Sequence, residues 1–156
     1  MNLKTVDFQI LTSNYVKYRD GVEEIENKKK EFLEKIEPLK KKMNDIIKYA
    51  QSGLIVDEQS QKSKSQDFQD LQREAISMDN DFKYEIRQMS DSLNEKCYDD
   101  LEEIITEWSI NNNIDLVLGK MEVVFNKPEF EATNEILDIL KEKGLYVDYD
   151  KNEKED

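Results

Sequence analysis

Four acidic side chains that lie close together in the chain are its best candidates for binding or catalytic chemistry. They are Asp99, Asp100, Glu102 and Glu103. Carboxylate oxygens are the ligands that hard divalent cations accept, so the cluster could in principle hold such an ion. At these spacings, however, the side chains surround a helix instead of sharing one face of it. We therefore interpret the cluster as a solvated helix face and predict no metal site.

The second candidate is Cys97, which is the only cysteine and so excludes any intrachain disulfide. The chain has no histidine, which excludes a Ser-His-Asp triad, a Cys-His pair and a zinc site of the ordinary type. The sequence also lacks a GxGxxG pattern and a phosphate loop. We interpret Cys97 as a small buried hydrophobe and predict that the protein is not an enzyme and uses no cofactor.

The composition favours an elongated shape. Of the 156 residues, 37% are hydrophobic and 38% are charged, and there are only four Gly and two Pro. Such a chain has more surface to cover than a compact globule has. The net charge of −13 argues against nucleic-acid binding through a basic patch. The lysine runs at 28–30 and 40–42 alternate with glutamates, so we interpret them as a solvated face.

Residues 15–108 are the stretch around which the chain is organised, and we predict that they form two long amphipathic helices folded into a hairpin. Apolar residues recur in the first arm at alternating spacings of three and four, with Lys29 as the polar exception, which is a heptad pattern. In the second arm they recur about every 3.6 residues. The first arm is therefore expected to supercoil and the second to run nearly straight. The first-arm seam is Tyr15, Tyr18, Val22, Ile25, Lys29, Phe32, Ile36, Leu39, Met43, Ile46 and Ala50, and the second-arm seam is Phe68, Leu71, Ala75, Met78, Phe82, Ile86, Met89, Leu93, Cys97, Leu101, Ile104 and Trp108.

The charges of the two arms differ in a way that favours packing them side by side. Residues 15–50 carry ten basic and eight acidic side chains, whereas residues 65–109 carry four basic and thirteen acidic ones. Pro38 removes a backbone hydrogen bond inside the first arm, so we predict a kink there that acts as a hinge. Gly21 weakens the first turns of the same arm.

The tip of the hairpin is predicted at about residues 51–66, where Gly53 and a polar run interrupt the pattern. Leu54, Ile55 and Val56 are apolar residues at this otherwise polar tip. They either contact another molecule or a neighbouring arm, or they cap the hairpin locally, and the sequence favours neither alternative.

The flanking residues are predicted to form a small β body from residues 4–12 and 110–144. The alternation in residues 5–11 indicates a half-buried strand. Residues 114–118 and 121–125 are expected to form two more strands, joined by a turn at Gly119 and Lys120. A short helix should follow over residues 133–143, capped by Thr133 and ended by Gly144. Residues 145–156 form an acidic tail that frays or adds an edge strand through Leu145, Val147 and Tyr149.

The order strand, long helix, long helix, two strands, short helix resembles the Skp chaperones, also called OmpH-like. The local matches are residues 114–118 (IDLVL), then residues 124–126 (VFN), then residues 132–137 (ATNEIL), which look like the family's IDLVV, its VAYN-type strand and its turn into the last helix. Residues 6–13 entering a charged helix are similar to the family's first strand and arm. The resemblance covers about residues 4–143. It implies an α+β, mostly helical fold in which three chains join their β bodies and extend helical arms around a cavity.

An independent physical argument also favours an oligomer, because three short strands would leave exposed edges that a symmetric assembly closes. We therefore predict a homotrimer with the hairpin of residues 13–109 projecting from the body. The residues expected to build the body of the trimer are Val6, Phe8, Ile10, Ile114, Leu116, Leu118, Val123 and Phe125.

The resemblance implies an ATP-independent holdase that keeps unfolded client proteins between the arms. The main alternative is a trimeric coiled-coil scaffold in a larger assembly, for example one encoded by a phage. A prefoldin-like chaperone fits less well, because its β-hairpins lie between the two helices. No apolar run approaches the roughly 20 residues that span a bilayer. Without a signal peptide the expected location is the cytoplasm, and it is the periplasm if a leader has been removed. The sequence pI near 4.6 is a departure from the usually basic bacterial family.

Overall fold

The computed structural model describes residues 1–54 and 57–152, which form a mostly helical chain. The elements are β1 (Leu3–Val6), α1 (Phe8–Ser13), α2 (Val16–Gln51), α3 (Glu58–Asn111), β2 (Leu116–Gly119), α4 (Thr133–Glu142) and α5 (Tyr149–Asn152), with 3-10 turns at Lys120–Glu122 and Pro128–Phe130. Of the described residues, those in 1–23 and from 90 onward form one compact unit, which we call the body unit, and those in 24–89 form a second, the arm unit.

The predicted long helical hairpin is confirmed. In the body unit, a side chain added at Gly21 would meet the methyl groups of Leu93. In the arm unit, Lys28 Nζ lies 2.9 Å from Glu85 Oε1, and the rings of Phe32 and Phe82 stack with their centroids 4.0 Å apart. Within each unit, residues further along α2 contact residues earlier in α3, so the two helices are antiparallel.

α3 extends further towards the tip than the sequence pattern indicated, whereas α2 ends at Gln51, close to the predicted end of the first arm. α2 is continuous across Pro38, and the kink there remains a prediction. The tip was predicted at residues 51–66, but α3 already begins at Glu58. Gln and Lys are good helix formers, so the polar run after residue 58 continues the helix instead of breaking it. The helix start is stabilised by Asp57, whose Oδ1 accepts a 2.7 Å hydrogen bond from the Ser60 backbone N–H.

The end of α3 follows the expected turn chemistry of its asparagines. Asn113 adopts a left-handed conformation with φ of 54°. The backbone N–H of Ile114 then donates to the carbonyl of Ser109 at 2.9 Å, which satisfies an otherwise unpaired carbonyl in the last turn. This turn directs the chain out of the helix and into β2.

The first strand is shorter than predicted, because the alternation through Phe8 and Ile10 belongs to a helix. β1 ends at Val6. Asp7 Oδ1 accepts hydrogen bonds from the backbone N–H groups of Gln9 and Ile10, at 3.0 and 3.2 Å. An aspartate in this position caps a helix start, so the chain turns into α1 where the pattern predicted an extended strand.

The predicted hairpin of residues 114–118 and 121–125 is wrong. β2 pairs in parallel with β1, in the register Leu3 with Leu116 through Val6 with Gly119. Residues after Gly119 form the 3-10 turn Lys120–Glu122, and Val123 follows outside any strand. The described residues therefore contain a two-stranded sheet instead of three strands. Parallel partners lie far apart in sequence, so no local turn signal announces them.

The short helix α4 begins at Thr133 and ends before Gly144 as predicted, but it is capped differently. Its N-cap is Ala132, not Thr133. The hydroxyl of Thr133 instead accepts a 2.9 Å hydrogen bond from the Asp7 backbone N–H. Gly144, with φ of 69°, ends the helix in the left-handed conformation that glycine adopts without strain.

The hydrophobic core lies in the body unit. Its buried members are Val6, Leu11, Tyr15, Cys97, Leu101, Ile105, Ala132, Ile136 and Leu140. They come from β1, α1, the start of α2, the end of α3 and α4, so this unit joins both ends of the chain. Over the part of the chain that the structure describes, no helix has both the length and the apolar character needed to cross a membrane.

Candidate interaction surfaces

The body unit has, among the described residues, a sheet edge without a strand partner, and a cluster of exposed apolar side chains lies next to it. Among the described residues, β2 pairs only with β1, so its other edge is available. Leu116 is 41% exposed, and beyond the strand Met121, Val124 and Phe125 are 94%, 106% and 81% exposed. A strand edge beside large exposed apolar groups is typical of a surface that pairs with another chain.

An open groove of about 510 Å³ adjoins this edge. Its apolar lining includes Phe8, Tyr98, Ile105, Ile110, Leu116 and Met121. The rings of Phe8 and Tyr98 form part of one wall of the groove, and they stack with their centroids 5.0 Å apart. We call the β2 edge, this groove and residues 121–125 together the assembly surface.

The residues predicted for the body of a trimer occupy different environments. Val6 is fully buried in the core of its own chain, so it is not part of the assembly surface itself. Phe8, Ile114, Leu118 and Val123 are half-buried, and Ile10, Leu116 and Phe125 are exposed. The sequence analysis did not include Met121 and Val124, because it placed them in a predicted strand over residues 121–125 that the described structure does not contain.

The residues predicted for the hairpin seam lie on the less exposed faces of α2 and α3. Ile25, Ile36 and Leu101 are buried, and the others are half-buried: Tyr18, Val22, Phe32, Leu39, Met43, Phe82, Met89 and Leu93. Lys29, the polar exception, instead forms a 2.7 Å ion pair with Glu26 on its own helix.

The arm unit keeps large apolar side chains exposed on both helices and, at Leu54, between them. They are Leu33, Ile47, Tyr49, Leu54, Ile76 and Tyr84. An open groove of about 360 Å³ runs between the helices, lined by Phe32, Ile36, Met43, Ala75 and Ile76 with Lys40 and Asp79 at its polar positions. Apolar groups spread along a surface in this way permit many weak contacts and no single specific pocket.

The predicted hinge and tip residues are surface groups where they are described. Pro38 is exposed within continuous α2. Leu54 is 63% exposed, whereas Ile55 and Val56 lie outside the described residues. The contact role of the tip therefore remains a prediction.

A polar cluster at the base of the hairpin joins α2 to α3. The Tyr15 hydroxyl donates a 2.7 Å hydrogen bond to Asp100 Oδ2, and Lys17 Nζ lies 3.5 Å from the same oxygen. Burial, followed by the contact with Asp100, raises the pKa of the Tyr15 phenol above its ordinary value. Burial likewise raises the pKa of the Cys97 thiol, which disfavours the reactive thiolate.

The acidic residues around position 100 do not converge. Asp100 faces Tyr15 and Lys17, whereas Asp99, Glu102 and Glu103 are exposed. Across the described residues, no group of three potential metal ligands lies close enough to hold an ion. Asp99, Glu102 and Glu103 therefore fit the predicted solvated helix face, whereas Asp100 does not.

The charge of the protein is unevenly distributed between the two units. Residues 24–89 carry 13 basic and 14 acidic side chains, whereas residues 1–23 and 90–156 together carry 10 basic and 22 acidic ones. The arm unit is therefore nearly neutral, and the acidic character of the chain lies in the body unit. Apolar contacts on the arm unit are thus not opposed by a strong repulsive field.

These features agree with one comparison against known protein families. The model of the family described as outer membrane protein (OmpH-like) matches residues 3–140, which include β1, both long helices, β2 and most of α4. A comparison with curated proteins gave no significant match. Since the family match spans most of the chain and includes the elements that carry both surfaces, the protein belongs to the OmpH-like family.

Proposed function

We propose that the protein is an ATP-independent holdase of the Skp type, which binds unfolded client proteins and prevents their aggregation. We base this on one observation above the others: two helices of 36 and 54 residues pair with each other and, in the arm unit, keep large apolar side chains exposed on both. A helical pair stabilised mainly by its own burial normally covers such groups. Their exposure supports a role in weak, reversible contacts with other chains.

The assembly surface supports a homotrimer as the working form. The unpaired edge of β2 and the exposed Val124 and Phe125 together form a surface whose exposure to solvent is unfavourable. Pairing with neighbouring chains covers both features at once, and cyclic symmetry lets every copy use the same two surfaces. Three hairpins extending from one body would then surround a shared cavity for the client.

Client binding in this proposal needs no catalytic residue. Leu33, Ile76 and Tyr84 contribute apolar area from the arm unit, and neighbouring charged groups keep the same surface soluble. Each exposed side chain supplies about 1 kcal/mol or less when it is only partly covered. Several such contacts hold an unfolded chain, yet they also permit its release without an energy source.

Light scattering of an aggregating client tests this proposal. We expect one trimer equivalent per client to suppress the scattering without nucleotide. The variant combining Leu33→Ser and Ile76→Ser should lose most of that suppression, whereas the matched surface control Gln69→Ser should keep it. A wild-type protein that leaves scattering unchanged at a severalfold excess would refute the holdase.

A coiled-coil scaffold is the second candidate, and the heptad spacing of the α2 seam supports it. A scaffold has fixed partners that cover its arms, so Leu33 and Ile76 would be interface residues. The two proposals differ in one measurable respect. A holdase binds unrelated unfolded proteins, whereas a scaffold ignores them and copurifies with one partner at a defined stoichiometry.

A further inference from the structure

The segment after α4 lies beyond the family match, which ends at residue 140. Gly144 reverses the chain direction through two backbone hydrogen bonds, from its own N–H to the Lys141 carbonyl at 3.1 Å and from the Leu145 N–H to the Leu140 carbonyl at 2.8 Å. This is a Schellman ending, and it fixes the exit direction of the chain. Residues 145–149 are thereby directed towards the start of α2.

These residues hydrogen-bond to the junction between α1 and α2 on both sides. The Val16 backbone N–H donates to the Leu145 carbonyl at 2.8 Å, and the Val147 N–H donates to the Asn14 carbonyl at 2.9 Å. Between them, Tyr15 and Tyr146 form an antiparallel bridge. The contact is thus a short antiparallel strand pair outside the main sheet.

Val16 is the first residue of α2, so its hydrogen bond to Leu145 involves a backbone group at the start of that helix. The first backbone N–H groups of a helix have no acceptor within the helix. The Leu145 carbonyl supplies one, so the C-terminal segment acts as part of the helix cap. The segment therefore stabilises the start of α2 directly and not only by covering surface.

Side chains strengthen the same contact. Asn14 Oδ1 accepts a 3.1 Å hydrogen bond from the Tyr149 backbone N–H, while Asn14 Nδ2 donates to the Ile10 carbonyl at 2.8 Å. The guanidinium of Arg19 on α2 lies 5.4 Å from the Tyr149 ring centroid, within the range of a cation–π contact. Asn14 thus links the end of α1, the start of α2 and the C-terminal segment.

We propose that residues 145–149 form a clasp that holds the first turn of α2, and that its bonds to Asn14 open without unfolding of the core. In the closed state Leu145 and Tyr146 pack against the core, and the clasp fixes the start of α2 to α4. In the open state the bonds from Val147 and Tyr149 to Asn14 are lost, and the first turn of α2 gains freedom. The clasp is a conformational device that adjusts the rigidity of the arm base, and it does not depend on the proposed holdase function.

Hydrogen exchange measured on two matched variants of the full chain tests the clasp. Val147→Pro removes the N–H that donates to Asn14, whereas Val147→Ala shortens the side chain but keeps that N–H. Loss of one hydrogen bond predicts that the Val16 amide exchanges up to about tenfold faster in Val147→Pro than in Val147→Ala. The amides of Leu101 and Ile136 in the core should exchange at the wild-type rate in both variants.

Two outcomes would overturn the proposal. Equal Val16 exchange in Val147→Pro and Val147→Ala would mean that the segment does not hold the start of α2. Faster exchange at Leu101 and Ile136 together with Val16, or failure of Val147→Pro to fold, would mean that the segment is part of the core and does not open separately.

Discussion

The hydroxyl of Tyr15 donates a 2.7 Å hydrogen bond to the carboxylate of Asp100, a residue 85 positions further along the chain. This contact joins the start of α2 to α3 within the body unit. The Tyr15 side chain is almost fully buried, so its polar atom needs a partner inside the protein. The pair therefore contributes to both the register of the hairpin and the stability of the body unit.

The first prediction concerns the pH dependence that this pair confers. Burial and Asp100 raise the pKa of Tyr15 in the folded state, so above about pH 10 the unfolded chain releases a proton that the folded chain keeps. This contribution to stability is complete below pH 10 and is lost as the pH rises. Tyr15→Phe should lower the free energy of unfolding at pH 7 by about 1–2 kcal/mol. It should also abolish the loss of stability at alkaline pH that this phenol causes.

Urea unfolding from pH 7 to pH 11 measures both effects. The difference in the free energy of unfolding between wild type and Tyr15→Phe should become smaller above pH 10. A difference that stays constant over the whole pH range would contradict a raised pKa of Tyr15 in the folded state. Tyr98→Phe, which removes a hydroxyl from an exposed ring, is the control and should change stability at pH 7 by less than about 0.5 kcal/mol.

A second prediction concerns Gly21, where an added Cβ would overlap the Leu93 side chain. In the wild-type background, Gly21→Ala should destabilise the protein by about 1 kcal/mol, because the cost of displacing Leu93 exceeds the gain in helix propensity. In a Leu93→Ala background the overlap is removed, so the same substitution should stabilise by up to about 1 kcal/mol. Chemical denaturation of the four proteins in this cycle gives both values. The same sign in both backgrounds would show that Leu93 does not restrict position 21.

The third prediction tests the stacked pair in the arm unit. Phe82→Ala removes one ring from the stack with Phe32 and should destabilise the protein by about 2–3 kcal/mol. Tyr84→Ala, two residues along the same helix and 67% exposed, should change stability by less than about 0.5 kcal/mol. Thermal melts followed by circular dichroism distinguish the two variants. Similar melting temperatures for both would mean that the stack does not hold the arm helices together.

A fourth prediction concerns the assembly surface. Phe125→Asp places a charge on a side chain that is 81% exposed and that a trimer would cover. The variant should keep the circular dichroism spectrum of the folded chain but sediment as a monomer, because an unpaired charge at an interface is costly to desolvate. Tyr84→Asp adds the same charge on the arm unit and should leave the trimer intact. A trimeric Phe125→Asp would place the interface elsewhere.

The helical hairpin was predictable because its signal is local and repeats over many turns. The spacings from Tyr15 to Ala50 and from Phe68 to Trp108 both indicate one apolar face, and the structure pairs those faces. The polar run after Glu58 was wrongly assigned to the tip, because its composition is typical of loops while its helix propensity is not low.

The β body was less predictable because its pairing is not local. The alternation through Val6, Phe8 and Ile10 also fits a strand that stops at a capped helix, and only the Asp7 cap distinguishes the two. Residues 121–125 have strand propensity, but among the described residues they form no strand. The clasp contact of Asn14 with residues 145–149 left no signal beyond the alternation of Leu145, Val147 and Tyr149.

The most direct test of the proposed holdase is the mass of its complex with a client. An unfolded protein of known mass, diluted from denaturant into buffer without nucleotide and with the purified chain, can be followed by light scattering behind size exclusion. We predict one soluble peak with the mass of a client molecule plus three chains of 18.5 kDa each. A chain that elutes alone at 18.5 kDa while the client is lost as aggregate would contradict both the trimer and its function.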